Sequence, residues 1–280
     1  MASTNAMQPH EFERPVLELS GELLRAAMQV MVAGSEEHGG VERYIDAVKL
    51  KSTMFRQALV DNDIAKLDLY TFKGLCTFIA TVRRRISQWL NEESFEQMQA
   101  HIVELFRDEE HIDNRIGRFC DQFPNDKKHR WVRDLAAELL LNADPERVPL
   151  MNRWVWDARA NTGVIREIWH GENVDHIKIP VGDGYGTYLM LREELSQFQS
   201  ENGVFRDVLF YVDVLCAQIY ARYICEQGGS YLRADFSSPE DPMQHTRRLL
   251  GLDGVQPGDG RTRLKSIDGE AYSIDDSKLN

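Results

Sequence analysis

Five side chains at helical spacing in the middle of the chain could bind a metal ion. They are His101, Glu104, Asp108, His111 and Arg115, which follow one another at intervals of three, four, three and four residues. These intervals place all five on one face of a helix. Asp108 and His111 form an Asp-x-x-His pair, in which a carboxylate and an imidazole one turn apart can bind the same ion. We expect this pair to supply two ligands of a metal site.

A second carboxylate–histidine pair, Glu167 and His170, occurs further along the chain. Two such pairs that face each other across a helical bundle, together with other carboxylates, can hold a dinuclear iron or manganese centre. The candidate ligands are Glu104, Asp108, His111, Glu167 and His170, and they would make the protein an oxidase or oxygenase. The alternative is a solvated helix face, because a chain with 45 acidic residues and 8 histidines produces such pairs by chance.

Two carboxylates lie where the sequence predicts a buried surface. Glu109 falls on an apolar stripe, and Asp213 lies in a segment that is apolar almost all round. A buried carboxylate either pairs with a cation or has a raised pKa and can transfer protons. We expect an internal network in which Glu109 and Asp213 pair with Arg153, Arg159 and Arg166. The alternative is an acid/base site, or a pocket for an anionic small molecule, lined by Asp213 and the Arg cluster.

The segment 153–169 combines three tryptophans with three arginines among residues that favour helices. Aromatic and Arg side chains are the types that dominate the energy of protein interfaces and that bind anions. The predicted interface residues are Trp154, Trp156 and Trp169. The same composition is also typical of a central core helix with internal ion pairs, so both interpretations stay open.

Other chemistries have little support in the sequence. The glycines of GDGYG at residues 182–186 do not have the spacing of a phosphate-binding loop, and no Gly-x-Ser-x-Gly motif is present. The four cysteines are far apart and form no zinc or redox motif. We therefore identify no catalytic residue and no cofactor apart from the iron or manganese considered above.

The charge balance argues against nucleic acid as a partner. The 280 residues include 33 Lys and Arg against 45 Asp and Glu, a formal net charge of −12. Phosphate recognition needs a positive field, and the run Arg83–Arg85 is spread around a helix rather than along one face. The most apolar segment, residues 205–225, is interrupted by charged residues, so we expect a buried helix and no membrane span.

Apolar residues recur every three or four positions through most of the first 170 residues, which predicts a mainly α, bundle-like domain. Six helices are expected there. The second spans about Val41 to Leu59, the fourth begins with Ser94 as its cap and runs to about residue 119, the fifth carries Trp131, Leu135 and Leu139, and the sixth runs from residue 144 to 169. Residues 176–191 alternate and contain a Gly-Asp-Gly turn, so they predict one β-hairpin. Two further helices are expected before residue 226.

The predicted domain organisation is a flexible N-terminus at 1–14, a helical domain at 15–250 with the hairpin inserted, and a flexible polar tail at 251–280. The opening residues lack a basic start followed by an apolar core, so we expect a soluble, cytoplasmic protein. Because no catalytic motif emerges, the sequence favours a helical binding or accessory protein. It would act through the Trp/Arg segment and the tail on another protein, or on a second copy of itself.

Overall fold

The computed structural model describes residues 14–107, 110–171, 173–227 and 243–253, together with two strands in the tail. Its α-helices are α1 (Gly21–Ser35), α2 (Val41–Arg56), α3 (Leu69–Thr77), α4 (Ala80–Ile86), α5 (Glu92–Leu105), α6 (Ile112–Asp121), α7 (Trp131–Ala143), α8 (Val164–Glu167), α9 (Tyr185–Glu201), α10 (Val208–Gln227) and α11 (Gln244–Leu249). Short 3-10 turns lie at Glu36–His38, Ile64–Lys66 and Val174–His176, and a π turn at Gln57–Asp61 extends α2. The mainly α architecture is therefore confirmed.

Two helices form the centre of the body. Almost every residue of α7 is buried, and this helix packs against α2, α4 and α6. Most of its buried residues are apolar, and the buried polar residues Asp134, Glu138 and Asn142 recur every four positions along one side. The second, α10, packs against α1, α2, α8, α9 and α11. By length and composition α10 could also cross a membrane, but half of its apolar window is buried against this protein.

The predicted fourth helix is two helices. The α-helix that begins at Glu92 ends at Leu105, and α6 begins at Ile112 with His111 as its N-cap. The start of α5 is a capping box formed by Asn91 and Ser94, each of which binds the backbone N–H of the other. Ser94 is therefore the third helical residue and not the cap that the sequence suggested.

The predicted sixth helix, at residues 144–169, is wrong. Most of this segment is turns, and within it α8 covers four residues. Asn161 and Gly163 have positive φ angles of 53° and 127°, which no α-helix contains. A Cβ atom at Gly163 would lie 2.6 Å from the carbonyl oxygen of Val155. Glycine therefore allows this close approach of two backbone segments, which the composition of the segment did not reveal.

The β-hairpin predicted at 176–191 is also wrong. Ile179 and Val181 are buried, but side chains bind their backbone groups in place of a second strand. The Asn161 amide oxygen accepts from the Ile179 N–H at 2.9 Å, and the Val181 carbonyl accepts from the Trp156 indole at 3.1 Å. Residues 185–191, predicted to be the second strand, form the start of α9.

Residues 243–253, which we call the C-terminal clasp, join the helical body after α10. The Thr246 hydroxyl binds Gln218 on α10 at 2.7 Å, and Leu250 and Leu252 are buried. Arg83 on α4 makes two hydrogen bonds to Asp253. Contacts between the clasp and the body thus continue as far as Asp253. Beyond it, β1 (Arg261–Leu264) pairs antiparallel with β2 (Tyr272–Asp275), and the rest of the predicted tail and residues 1–13 lie outside the described residues.

Candidate functional site

The structure does not bring the predicted metal ligands together. Glu104 forms an ion pair with Arg107 at 2.7 Å, and the imidazole of His111 accepts from the backbone of Asp113. Glu167 ends α8, and His170 is exposed. Asp108 lies outside the described residues, and within the described ranges no three His, Cys, Asp or Glu side chains are grouped to hold a metal ion. The dimetal centre therefore has no support from the described geometry.

The turn between α5 and α6 does bring some of those residues into one pocket. His101, Glu104 and Arg115 line a cavity of 290 Å³ together with Arg118 and Gln122. Arg118 makes an ion pair of 3.0 Å with Glu110, and burial lowers the pKa of His101. Its volume is at the lower end of the range of ligand pockets, about 300 to 1,000 Å³.

The tryptophans predicted at an interface are core residues. Trp156 is fully buried, and Trp154 and Trp169 are each 7% exposed. The indole of Trp156 donates to the Val181 carbonyl, and its own carbonyl accepts from the Tyr188 hydroxyl at 2.7 Å. Polar partners of this kind are what a buried indole requires. The three tryptophans of the Trp/Arg segment therefore pack into the core, where Trp156 fixes the loop before α9.

The predicted arginine network has different members. Arg153 pairs with Asp134 on α7 at 3.5 Å, Arg166 donates to the Asn161 carbonyl, and Arg159 is exposed. None of the three pairs with Asp213, because the segment that carries them is not the helix that the sequence predicted. Glu109 lies outside the described residues.

A polar cluster that the sequence did not predict lies in the core between α2 and α7. Lys51 and Glu138 form an ion pair of 2.8 Å with side chains 4% and 2% exposed. Glu138 also accepts hydrogen bonds from Asn142 and Asn152, and Lys51 donates to the carbonyl of Leu250 in the clasp. Each charge thus has a charged partner and further hydrogen bonds, as burial demands.

Asp213 on α10 lies beside this cluster. Its side chain makes no hydrogen bond or ion pair with any described residue, and it lines none of the cavities described here. Burial, and then the charge of Glu138, raise the pKa of Asp213 to about 7, although Lys51 and Arg192 act in the opposite direction. The buried cluster has no described access for a substrate, so we interpret it as structural.

A wide groove lies between α1, α2 and the loop that precedes α10. Its volume is 650 Å³, within the range of binding sites. Apolar side chains of α1 and α2 form its floor, namely Met28, Met31, Val41 and Ile45, and Val32 lies 43% exposed at its edge. The opposite wall is the loop 203–207 with Tyr211 of α10. We call this the α1–α2 groove.

The loop 203–207 presents an aromatic ring to solvent. Phe205 is 77% exposed, although its neighbours in the loop are fixed by the body. Lys49 on α2 binds both carboxylate oxygens of Asp207, at 3.0 and 3.1 Å, and the Val204 N–H donates to the Gln199 carbonyl. Because Gly203 and Asp207 both have positive φ angles, the chain turns outward between these two anchors. The loop is therefore held in place while Phe205 points away from the core.

Sequence reasoning missed the groove because it assigned Phe205 to a buried helix. The adjacent residues carried a signal, since Asn202-Gly203 and Arg206-Asp207 both interrupt the apolar pattern and favour a turn. The structure begins α10 after this second pair, at Val208.

Comparisons with known proteins give this chain no relative: no family model matches it, and neither do any curated protein or solved structure.

Proposed function

We propose that the protein is a cytoplasmic binding or accessory protein that acts through protein–protein contacts, and that the α1–α2 groove is its contact surface. The observation that carries the proposal is the 77% exposure of Phe205 at the edge of an apolar groove. A protein normally buries a ring of this size, because burial of the side chain contributes about 1.5–3 kcal/mol of free energy relative to exposure in water. Exposed apolar patches beside a groove are typical of binding sites.

The residue types of the groove support the same function. Phe205, Tyr211, Met28 and Arg206 all line it, and aromatic, Met and Arg side chains are enriched at protein interfaces. Methionine adapts its shape to different partners because its side chain is unbranched and flexible. Nucleic acid is not proposed as a partner, because the net charge of −12 opposes phosphate binding.

Site-specific photocrosslinking tests the proposal in cells. The photoreactive amino acid p-benzoylphenylalanine replaces Phe205 in one variant and Tyr70, which is 59% exposed outside the groove, in a matched control. We expect one adduct of defined mass from position 205 and none from position 70. The additional substitution Val32→Asp places a charge at the groove edge and should remove that adduct. Identical adducts from both positions, or an adduct that survives Val32→Asp, would refute the proposal.

A further inference from the structure

The edge of the α1–α2 groove is acidic. Glu36, Glu42, Asp46 and Asp207 line it, against the single cation Arg206. Asp207 is already paired with Lys49, and Glu42 accepts from the hydroxyl of Tyr211 at 3.2 Å. The carboxylates of Glu36 and Asp46 have no ion-pair or hydrogen-bond partner within the described part of the chain, so both are available to a bound cation.

The apolar floor and the acidic edge have a definite arrangement. Met28, Met31, Val41 and Ile45 lie along the bottom, where α1 and α2 pack side by side. The free carboxylates belong to the turn after α1 and to α2, so they flank this floor. An apolar groove floor can bind the apolar face of an amphipathic helix. Charges at the edge of the groove favour a helix that carries the opposite charge beside its apolar face.

We propose that the α1–α2 groove binds a basic amphipathic segment of another protein, with apolar side chains on the floor and Phe205, and with Lys or Arg beside Glu36 and Asp46. This inference rests on the proposed function and names the class of partner. The overall charge of −12 favours the same class, because it attracts cationic segments from a distance and repels acidic ones. Binding to such a partner should weaken as salt screens the carboxylates.

The test uses the full chain and two synthetic peptides of about 18 residues, long enough for a stable amphipathic helix once bound. Both have the same Leu-rich apolar face, and the polar face is Lys in one and Glu in the other. Fluorescence anisotropy of the labelled peptides measures the affinity. We expect the Lys peptide to bind at least about tenfold more tightly than the Glu peptide at low ionic strength, and to lose most of that advantage at about 0.3 M salt.

Matched variants separate the groove from the general charge of the protein. Glu36→Gln with Asp46→Asn removes two charges at the groove, and Glu96→Gln with Glu194→Gln removes two exposed charges that do not line it. The groove variant should bind the Lys peptide about tenfold more weakly, and the control variant should change the affinity less than about twofold. Equal losses in both variants would overturn the proposal, since attraction would then come from net charge alone.

Failure of this inference is distinguishable from failure of the proposed function. If position 205 crosslinks to a partner but neither peptide binds in the groove, the groove is an interface for a different class of protein. Light scattering of the purified chain supplies a further check. A dimer that Phe205→Ser converts to a monomer would show that a second copy occupies the groove, and would also overturn the proposal.

Discussion

Replacement of Asp213 by Asn should stabilise the protein, and more strongly at high pH. Asp213 is buried on α10, where it makes no described hydrogen bond, and burial and Glu138 raise its pKa from 3.8 to about 7 despite Lys51 and Arg192. In the unfolded chain this carboxyl has its ordinary pKa. The folded protein must therefore either hold a proton on Asp213 or bury an uncompensated anion, and an Asn side chain requires neither.

The sign and size of the effect follow from this difference. Because the folded-state pKa is raised, the stability that protonated Asp213 provides is complete below pH 3.8 and is lost as the pH rises through about 7. The interval of about three pH units corresponds to about 4 kcal/mol, since each unit is equivalent to about 1.4 kcal/mol. Relative to the wild type, Asp213→Asn should thus be about 2–3 kcal/mol more stabilising near pH 8 than near pH 5.

Urea unfolding of the wild type and the variant at the two pH values measures these differences. The control is Asp61→Asn, which removes an exposed carboxylate and should change the free energy of unfolding by less than about 0.5 kcal/mol at either pH. A gain for Asp213→Asn that is the same at both pH values would refute the reasoning, because the folded protein would then not take up a proton at this position.

Two further predictions concern the core. Lys51→Met should lower the free energy of unfolding by about 3–5 kcal/mol because it leaves Glu138 as a buried charge. The added substitution Glu138→Gln should recover at least about 1 kcal/mol in urea unfolding. No recovery would contradict the charge-pair explanation. Gln199→Met should stabilise the protein by about 1–3 kcal/mol, since the fully buried amide of Gln199 has no described hydrogen bond at either end. A loss of more than about 1 kcal/mol in thermal unfolding would contradict this assignment.

The sequence predicted the elements whose periodicity is long and uninterrupted. The apolar pattern that runs through Trp131, Leu135 and Leu139 is α7, and the apolar segment before residue 226 is α10. Both helices are buried on nearly every side, so local composition and final environment agree. The helix from Val41 was likewise expected, although a π turn replaces its last residues.

Local patterns failed where tertiary contacts decide the backbone. Asn161 and Gly163 adopt positive φ angles, and Gly163 lies against the backbone of Val155; no composition rule distinguishes this turn from a helix. Similarly, the alternation of Ile179 and Val181 predicted a hairpin strand, whereas their backbone groups bind the side chains of Asn161 and Trp156. A hydrogen bond between a side chain and a distant backbone group leaves no periodic pattern in the sequence.

The candidate site was hidden from the sequence for the same reason. Asp207 is anchored by Lys49, which is 158 positions earlier in the chain, and this contact makes a loop out of residues that the apolar pattern joined to α10. The buried Lys51–Glu138 pair joins α2 to α7 in the same way. Charges that meet across such distances cannot be paired from one sequence alone, so the sequence could indicate a turn near Phe205 but not the groove beside it.

The C-terminal clasp imposes an order of events on biosynthesis. Translation produces the helices α1–α10 before residues 243–253 emerge, and during that interval Gln218 and Arg83 have not met the clasp groups that bind them. Lys51 likewise lacks the Leu250 carbonyl. Until the clasp emerges, the core of the nascent chain is incomplete. Its exposed apolar surface can then aggregate or bind chaperones. A chain that ends before residue 243 would lack these contacts, so the core of the body depends on a segment that follows α10 in the sequence.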